Sequence, residues 1–227
     1  MILAVAGGKG GVGKSTVSLN LAAELDAVAV DADLGMADLP ESRGPDLHDV
    51  LAGRADPVEA VHEGAPVDLL PCGRTLAGAR AADPAALVDA VDAVAGAYGT
   101  VVVDCPAGMT ADAGLPLFAA DRCALVALPD AFAVADLVRT RELARELDAG
   151  LSRVVLNRAG RDPPTDRVER ALGAPVTAVP ESRVVARAQR AGKPVSTVAP
   201  ESAAAERFRE LADAVTAGPK APRGRRR

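Results

Sequence analysis

The 227-residue chain contains no tryptophan, one tyrosine and three phenylalanines, although 49 % of it is hydrophobic. Its interior must therefore be packed mostly from small and medium aliphatic side chains. Lysine is also scarce. Of 26 basic residues only Lys9, Lys14, Lys193 and Lys220 are lysines, and two of these stand close together near the N-terminus. Cys72, Cys105 and Cys123 are odd in number and show no C-x-x-C spacing, which argues against a disulfide framework, the common zinc patterns and a bridged iron–sulfur cluster. A reducing cytoplasm is the expected compartment. No apolar run approaches the roughly 20 residues needed to cross a bilayer, and no signal-peptide pattern precedes the first apolar stretch. Acidic residues outnumber basic ones 31 to 26, and basic residues concentrate only in the last ten positions, so nothing points to a basic face built for nucleic acid.

Against these absences one stretch stands out. Gly8-Lys9-Gly10-Gly11-Val12-Gly13-Lys14-Ser15-Thr16 fits G-x-x-x-x-G-K-[ST] and follows a short apolar run, residues 2–6, that reads as a strand. Four specified positions would match a given window by chance about once in 10⁴–10⁵, so an accidental hit in a few hundred windows is improbable. The chemistry asks for these residue types. Glycines let the backbone turn tightly and bring its N–H groups to phosphate oxygens, while the helix that follows offers its positive end to the same anion. Lys14 then reaches the β- and γ-phosphates, and the Ser15 hydroxyl ligates Mg²⁺.

Helical spacing of Val17, Leu21, Ala22 and Leu25 predicts a helix directly after the loop, and residues 27–30 a buried strand ending at Asp31. Strand, loop, helix and strand make a βαβ unit, in which ligands bind at the strands' C-terminal ends; Asp31 and Asp33 lie there. Short helices are expected near residues 47–51 and 57–61, a strand at 67–70, a helix over 84–97 and a strand at 100–103. That strand runs into Asp104-Cys105-Pro106-Ala107-Gly108, an acid directly after an apolar run, which is weak evidence alone but fits a Mg²⁺-positioning carboxylate opposite Ser15. Strands at 124–128, 153–156 and 176–179 alternate with helices at 133–147 and 167–172, and a closing helix is expected over 202–217. The class is α/β, a mostly parallel twisted sheet with helices on both faces. Residues 1–217 are expected to form one domain, with GPKAPRGRRR at 218–227 a disordered basic tail.

The KGGVGKST stretch, with its second lysine at Lys9, resembles the deviant Walker A motif of the MinD/ParA family of P-loop ATPases. The likeness extends over nearly the whole chain. Asp31-Ala32-Asp33-Leu34-Gly35-Met36-Ala37-Asp38-Leu39 is similar to the family's D-x-D-x-G-x-x-N-L switch, and Val103-Asp104-Cys105-Pro106-Ala107-Gly108 to its D-x-P-A-G segment. Leu156-Asn157-Arg158 and Val179-Pro180-Glu181 resemble the two places where MinD-like members hold adenine. The resemblance implies that Gly10 to Thr16 bind phosphate, that Ser15, Asp31 and Asp104 serve Mg²⁺, that Asp33 orients the attacking water, and that Lys9 reaches a partner's nucleotide across a dimer. It departs in three places: Asp38 replaces the switch asparagine, Ser182 stands where an aspartate commonly follows Pro-Glu, and no amphipathic membrane-targeting helix follows the domain.

The expectation is an ATPase that binds ATP and Mg²⁺, forms a homodimer around the nucleotide and uses hydrolysis to time the positioning or recruitment of an activator or cargo protein. Two rivals are an ATP-dependent dimeric scaffold with little turnover and a ParA-like DNA-partition ATPase using arginines such as Arg183, Arg187 and Arg190. A third, a P-loop ligase of cofactor biosynthesis, usually has no equivalent of Lys9. Peripheral attachment to a membrane or DNA surface is left open but is not indicated by the sequence.

Overall fold

The run Ile2–Ala6 forms strand β1, and all five residues are buried because both faces of the strand are covered. Ile2, Ala4 and Ala6 point into one aliphatic cluster, Leu3 and Val5 into another, which is how a parallel sheet sandwiched between helices differs from a half-exposed one. A computed structural model describes residues 1–35, 39–40, 43–64, 66–73, 75–108, 111–130 and 132–217, apart from the side chains of 111, 112 and 133. Asp38 and the tail 218–227 lie outside the described residues.

In chain order, α1 (Lys14–Glu24) follows the glycine loop, then β2 (Val28–Asp31), α2 (Leu47–Leu51), β3 (Leu69–Leu70) and α3 (Leu76–Ala81). A 3₁₀ turn at Pro84–Ala86 leads into α4 (Leu87–Tyr98), followed by β4 (Val101–Asp104), α5 (Ala111–Ala119), β5 (Arg122–Ala127) and α6 (Ala133–Glu146). The chain continues through β6 (Gly150–Ala159), α7 (Thr165–Leu172), β7 (Val176–Pro180), α8 (Arg183–Arg190), α9 (Val195–Val198) and α10 (Ala203–Thr216). All seven strands are parallel, in the order β3-β2-β4-β1-β5-β6-β7. The α/β architecture read from the alternation of patterns is the one observed.

One face of the sheet carries Leu87, Val91 and Val94 of α4, Leu117 of α5, Leu137 of α6 and Leu172 of α7. The other is covered by Val17 and Leu21 of α1 and by Phe208, Leu211 and Val215 of α10. Phe208 is the largest fully buried side chain, so a single aromatic anchors an otherwise aliphatic interior. At full burial such side chains contribute about 1.5–3 kcal/mol each relative to exposure. Arg122, 4 % exposed at the start of β5, donates to the carbonyls of Val215, Thr216 and Ala217, which satisfies the last turn of α10.

Both edges of the sheet are blunted. Strand β3 has two residues, and Leu69 exchanges both backbone hydrogen bonds with His62 on its outer side. On β7 the Val176 amide donates to Glu169 Oε1 at 2.9 Å, and the strand ends at Pro180, which has no N–H.

Some expectations are corrected. Residues 57–61 form a single turn and not a longer helix: Asp56 caps the turn, its Oδ1 accepting from the amides of Val58 and Glu59, but His62 pairs with Leu69 directly afterwards and draws the chain away. The strand expected at 67–70 is confined to Leu69–Leu70, whereas β6 starts three residues earlier than the apolar run, at Gly150, because a register shift at Cys123/Ala124 lets the preceding residues pair with β5.

A candidate nucleotide and metal site

The glycine loop joins the central strand β1 to α1, with β4 and β5 on either side, so it sits where ligands bind in open parallel sheets. Gly11 and Gly13 have φ of 75° and 98°, a left-handed backbone that glycine adopts without a Cβ penalty. At Gly13, which caps α1, a Cβ would also lie 2.1 Å from Asn157 Nδ2. The loop walls a cavity of about 680 Å³ lined by Gly10, Gly11, Gly13, Lys14, Ser15 and Thr16, with Asp33, Leu34, Gly35, Pro106, Ala107, Arg158 and Gln189 opposite. Lys14 is only 6 % exposed and presents its ammonium to this cavity from the first turn of α1.

Two carboxylates stand side by side at the end of the adjacent strands β2 and β4, where the register pairs Asp31 with Asp104. Asp104 is 1 % exposed and accepts from Ser18 Oγ at 3.0 Å. Burial pushes its carboxyl up to about 7; a hydrogen bond from Ser15 pulls it down, the Asp31 charge pushes it up again, and Ser18 and Lys14 draw it back. Asp31 holds the loop that follows it: Oδ1 accepts from the Asp33 amide at 3.2 Å and Oδ2 from the Leu39 amide at 3.1 Å. The outcome is an acid pair beside Ser15 and, one loop away, Asp33 at the cavity wall.

The structure separates some residues that the motif groups together. Gly8 and Lys9 do not line the phosphate cavity. Lys9 Nζ instead pairs with Asp136 Oδ2 of α6 at 2.7 Å and lies 5.3 Å above the Phe132 ring, and the hydrogen bond to Asp136 raises its pKa. Val12 is buried, its carbonyl accepting from Asn157 Nδ2 at 2.9 Å. Asn157 is 4 % exposed and so acts first as a brace for the loop, which also explains the close approach at Gly13. Arg158 sits at the irregularity between β6 and β7 with φ of 53°, and lines both the phosphate cavity and a neighbouring hollow of about 500 Å³. Pro180 and Glu181 line that second hollow with Asn157 and Thr16, so the four residues matched to adenine positions do converge on one wall of the site.

Ser18, Asp136 and Gln189 escaped the reading of the sequence. Ser18 had a signal, since it stands one helical turn after Lys14 on the same face; the other two are brought in only by the packing of α6 and α8.

The residues present fit a nucleoside triphosphate with a divalent cation: a left-handed glycine cradle, a buried lysine, a hydroxyl at the helix start and an acid pair with one carboxyl held near neutrality. Among the described residues no three His, Cys, Asp or Glu side chains form a ready-made cage, and Mg²⁺ commonly relies on one or two protein oxygens together with phosphates and water. The fold and the site thus define a P-loop nucleotide-binding protein.

Comparison with known proteins narrows the class. Residues 3–195 match the CobQ/CobB/MinD/ParA nucleotide binding domain, and the chain belongs to that family as a MinD/ParA-type ATPase. It is 39 % identical over 173 residues to an ATP-binding protein of Methanocaldococcus jannaschii, covering 71 % of this chain and 66 % of that protein. A second ATP-binding protein of the same organism is 32 % identical over 225 residues, 92 % of this chain and 85 % of the relative. Among solved structures, the cell division ATPase MinD of Pyrococcus furiosus superposes with a TM-score of 0.89 at 29 % identity, covering 95 % of this chain and 98 % of that one. The septum site-determining protein MinD of Pyrococcus horikoshii, complexed with Mg-ADP, gives 0.88 at 30 % identity, with 93 % and 94 % covered. The matched family is a nucleotide-binding one, and the residues of this site fit ATP with Mg²⁺. No helix among the described residues is long and apolar enough to cross a membrane.

Proposed function

We propose that residues 1–217 form one ATP-hydrolysing unit that dimerises around the nucleotide and uses turnover as a switch for positioning or recruiting a partner protein. The observation that carries the reading is the in-register pair Asp31 and Asp104 beside Ser15, with Asp33 on the loop between the acid pair and the cavity. Gly10 to Thr16 hold the phosphates through backbone N–H groups, and Lys14 balances charge on the transferred group. Ser15, Asp31 and Asp104 would hold Mg²⁺, which would supply further charge neutralisation. Asp33 aligns the attacking water, and Asn157, Arg158, Pro180 and Glu181 enclose the base. Phosphoryl transfer to water needs positioning and charge more than covalent chemistry, and this set provides both. Lys9, outside the cavity of its own chain, is the residue available to a facing copy once it leaves Asp136.

Paired measurements test this. With ATP and Mg²⁺, Asp33→Ala should keep nucleotide affinity and still dimerise in sedimentation while phosphate release falls about 10²-fold, as expected for a lost positioning group. Lys9→Ala should bind ATP and remain monomeric. A wild-type protein that dimerises on ATP without releasing phosphate, alone or with candidate partners, is a scaffold and not an enzyme; a Lys9→Ala protein with normal dimerisation and turnover removes the dimer mechanism.

A further inference from the structure

Beneath the loop that carries Asp33 lies a pair of side chains that the phosphate chemistry does not use. Cys72, fully buried just after β3, directs Sγ to the Asp33 carbonyl at 3.2 Å, and His48 of α2, 3 % exposed, places Nε2 3.1 Å from the Leu34 carbonyl. The two side chains are themselves 3.5 Å apart. Their frame is stiff, because the amides of Leu47 and His48 donate to the carbonyls of Pro71 and Cys72 at 2.8 and 3.1 Å.

The protons can be placed by elimination. Two consecutive carbonyls, Asp33 and Leu34, face a thiol and an imidazole ring whose two neutral tautomers can be compared. Burial raises the Cys72 thiol well above its ordinary value, and Asp31, Asp33 and Asp46 raise it further, so the sulfur keeps its proton. Were the His48 proton on Nδ1, a buried N–H would lack an acceptor and the Nε2 lone pair would face the lone pairs of the Leu34 oxygen. With the proton on Nε2, both carbonyls are satisfied and only the Nδ1 lone pair lacks a partner. That lone pair still carries a desolvation cost, which the neighbouring contacts must offset.

The consequence falls on Asp33. Its amide is tied to Asp31 and its carbonyl to Cys72, while the next carbonyl is tied to His48. The backbone on both sides of the carboxylate is thereby fixed, and a displacement of about 1 Å in a positioning group can cost as much as 10²-fold in rate. We propose that His48 and Cys72 are positioning residues for Asp33, holding the backbone of its loop from below so that its carboxylate stays at the phosphate cavity. This rests on the assignment of Asp33 to the attacking water.

The test uses the full chain with ATP and Mg²⁺, comparing Cys72→Val, which fills the space without a donor, with Cys72→Ser, which keeps one. It also compares His48→Asn, whose amide stops short of Leu34, with His48→Gln, whose amide reaches the Nε2 position. Expected for Cys72→Val and His48→Asn are a kcat lowered about tenfold, a KM for ATP within twofold of wild type, and faster hydrogen exchange at the Asp33 and Leu39 amides. Cys72→Ser and His48→Gln should return kcat to within about threefold of wild type. Wild-type kcat in Cys72→Val and His48→Asn, or equal loss in Ser and Val and in Gln and Asn, overturns the proposal. A variant that does not fold leaves the test to the other position. If Asp33→Ala itself turns over normally, the reading of Asp33 fails; if it is inactive while Cys72→Val and His48→Asn are not impaired, only the present inference fails.

Discussion

Asp104→Asn should make the nucleotide-free protein more stable, and increasingly so as pH rises. The wild-type carboxyl is buried beside Asp31, and that burial lifts it from an ordinary carboxylate value of about 4 to about 7. Between those values the folded state holds a proton that the unfolded chain has lost, so stability from this group falls as pH rises through the interval. The penalty is absent below about pH 4 and complete above about pH 7. Each pH unit in that window is worth about 1.4 kcal/mol, giving a ceiling of about 4 kcal/mol that relaxation of the site will trim. Asparagine keeps an oxygen for Ser18 and cannot ionise, so it escapes the penalty. Urea denaturation of both proteins in a chelator, at steps from pH 5 to pH 8, reads the difference directly. The stability gap should widen with pH to about pH 7 and then level. A gap that stays flat across the range, or a wild type more stable at pH 8, refutes the reasoning. Adding ADP and Mg²⁺ should stabilise wild type far more than the variant, because only the ionised carboxylate serves the metal.

Further outcomes follow from the same geometry. Lys14→Ala should lower ATP affinity at least 100-fold in calorimetry while the circular dichroism spectrum is unchanged, since the side chain faces the cavity and not the aliphatic interior. Asn157→Ala strands the buried Val12 carbonyl, a loss of about 1–3 kcal/mol, and should raise the dissociation constants of ATP and ADP together by about tenfold or more in titration, because the loop they share loses its brace. Removal of residues 218–227 should leave phosphate release within twofold of wild type, because α10 is already closed off by Arg122; a truncated protein without turnover contradicts this.

What could be read in advance was whatever chemistry is written locally. The glycine loop, Asp31 and Asp104 each occupy a few consecutive positions after an apolar run, and their spacing declares the role each is fitted for. That Asp31 and Asp104 serve one metal is implied by the family resemblance alone; that their strands lie in register was not legible, because sheet order β2-β4-β1 brings together strands some 70 positions apart in the chain. Elements were legible where apolar periodicity was strong, as in α4 and α10. They were lost where composition opposed the outcome: α5 contains Pro116 within nine residues, and α3 has a glycine in its six. The family resemblance implies a contact between Asn157 and the base, whereas its grip on Val12 emerges only from the approach of β6 to the loop. Lys9 was found by motif, but its partner Asp136 lies on a helix whose sequence carries no hint of the contact.

The blunted sheet has a consequence for how copies of this chain can meet. With Leu69 already answered by His62, the first amide of β7 taken by Glu169 and its end closed by Pro180, each margin leaves only a short stretch of ladder for a neighbour to copy. Growth by strand addition, the route to fibres and permanent aggregates, is thereby discouraged. An encounter between two copies has to use surfaces other than the ladder, and a contact built from side chains around a small, exchangeable molecule can be undone when that molecule changes. Under the function proposed above, a dimer held in that way would be released by turnover of the nucleotide.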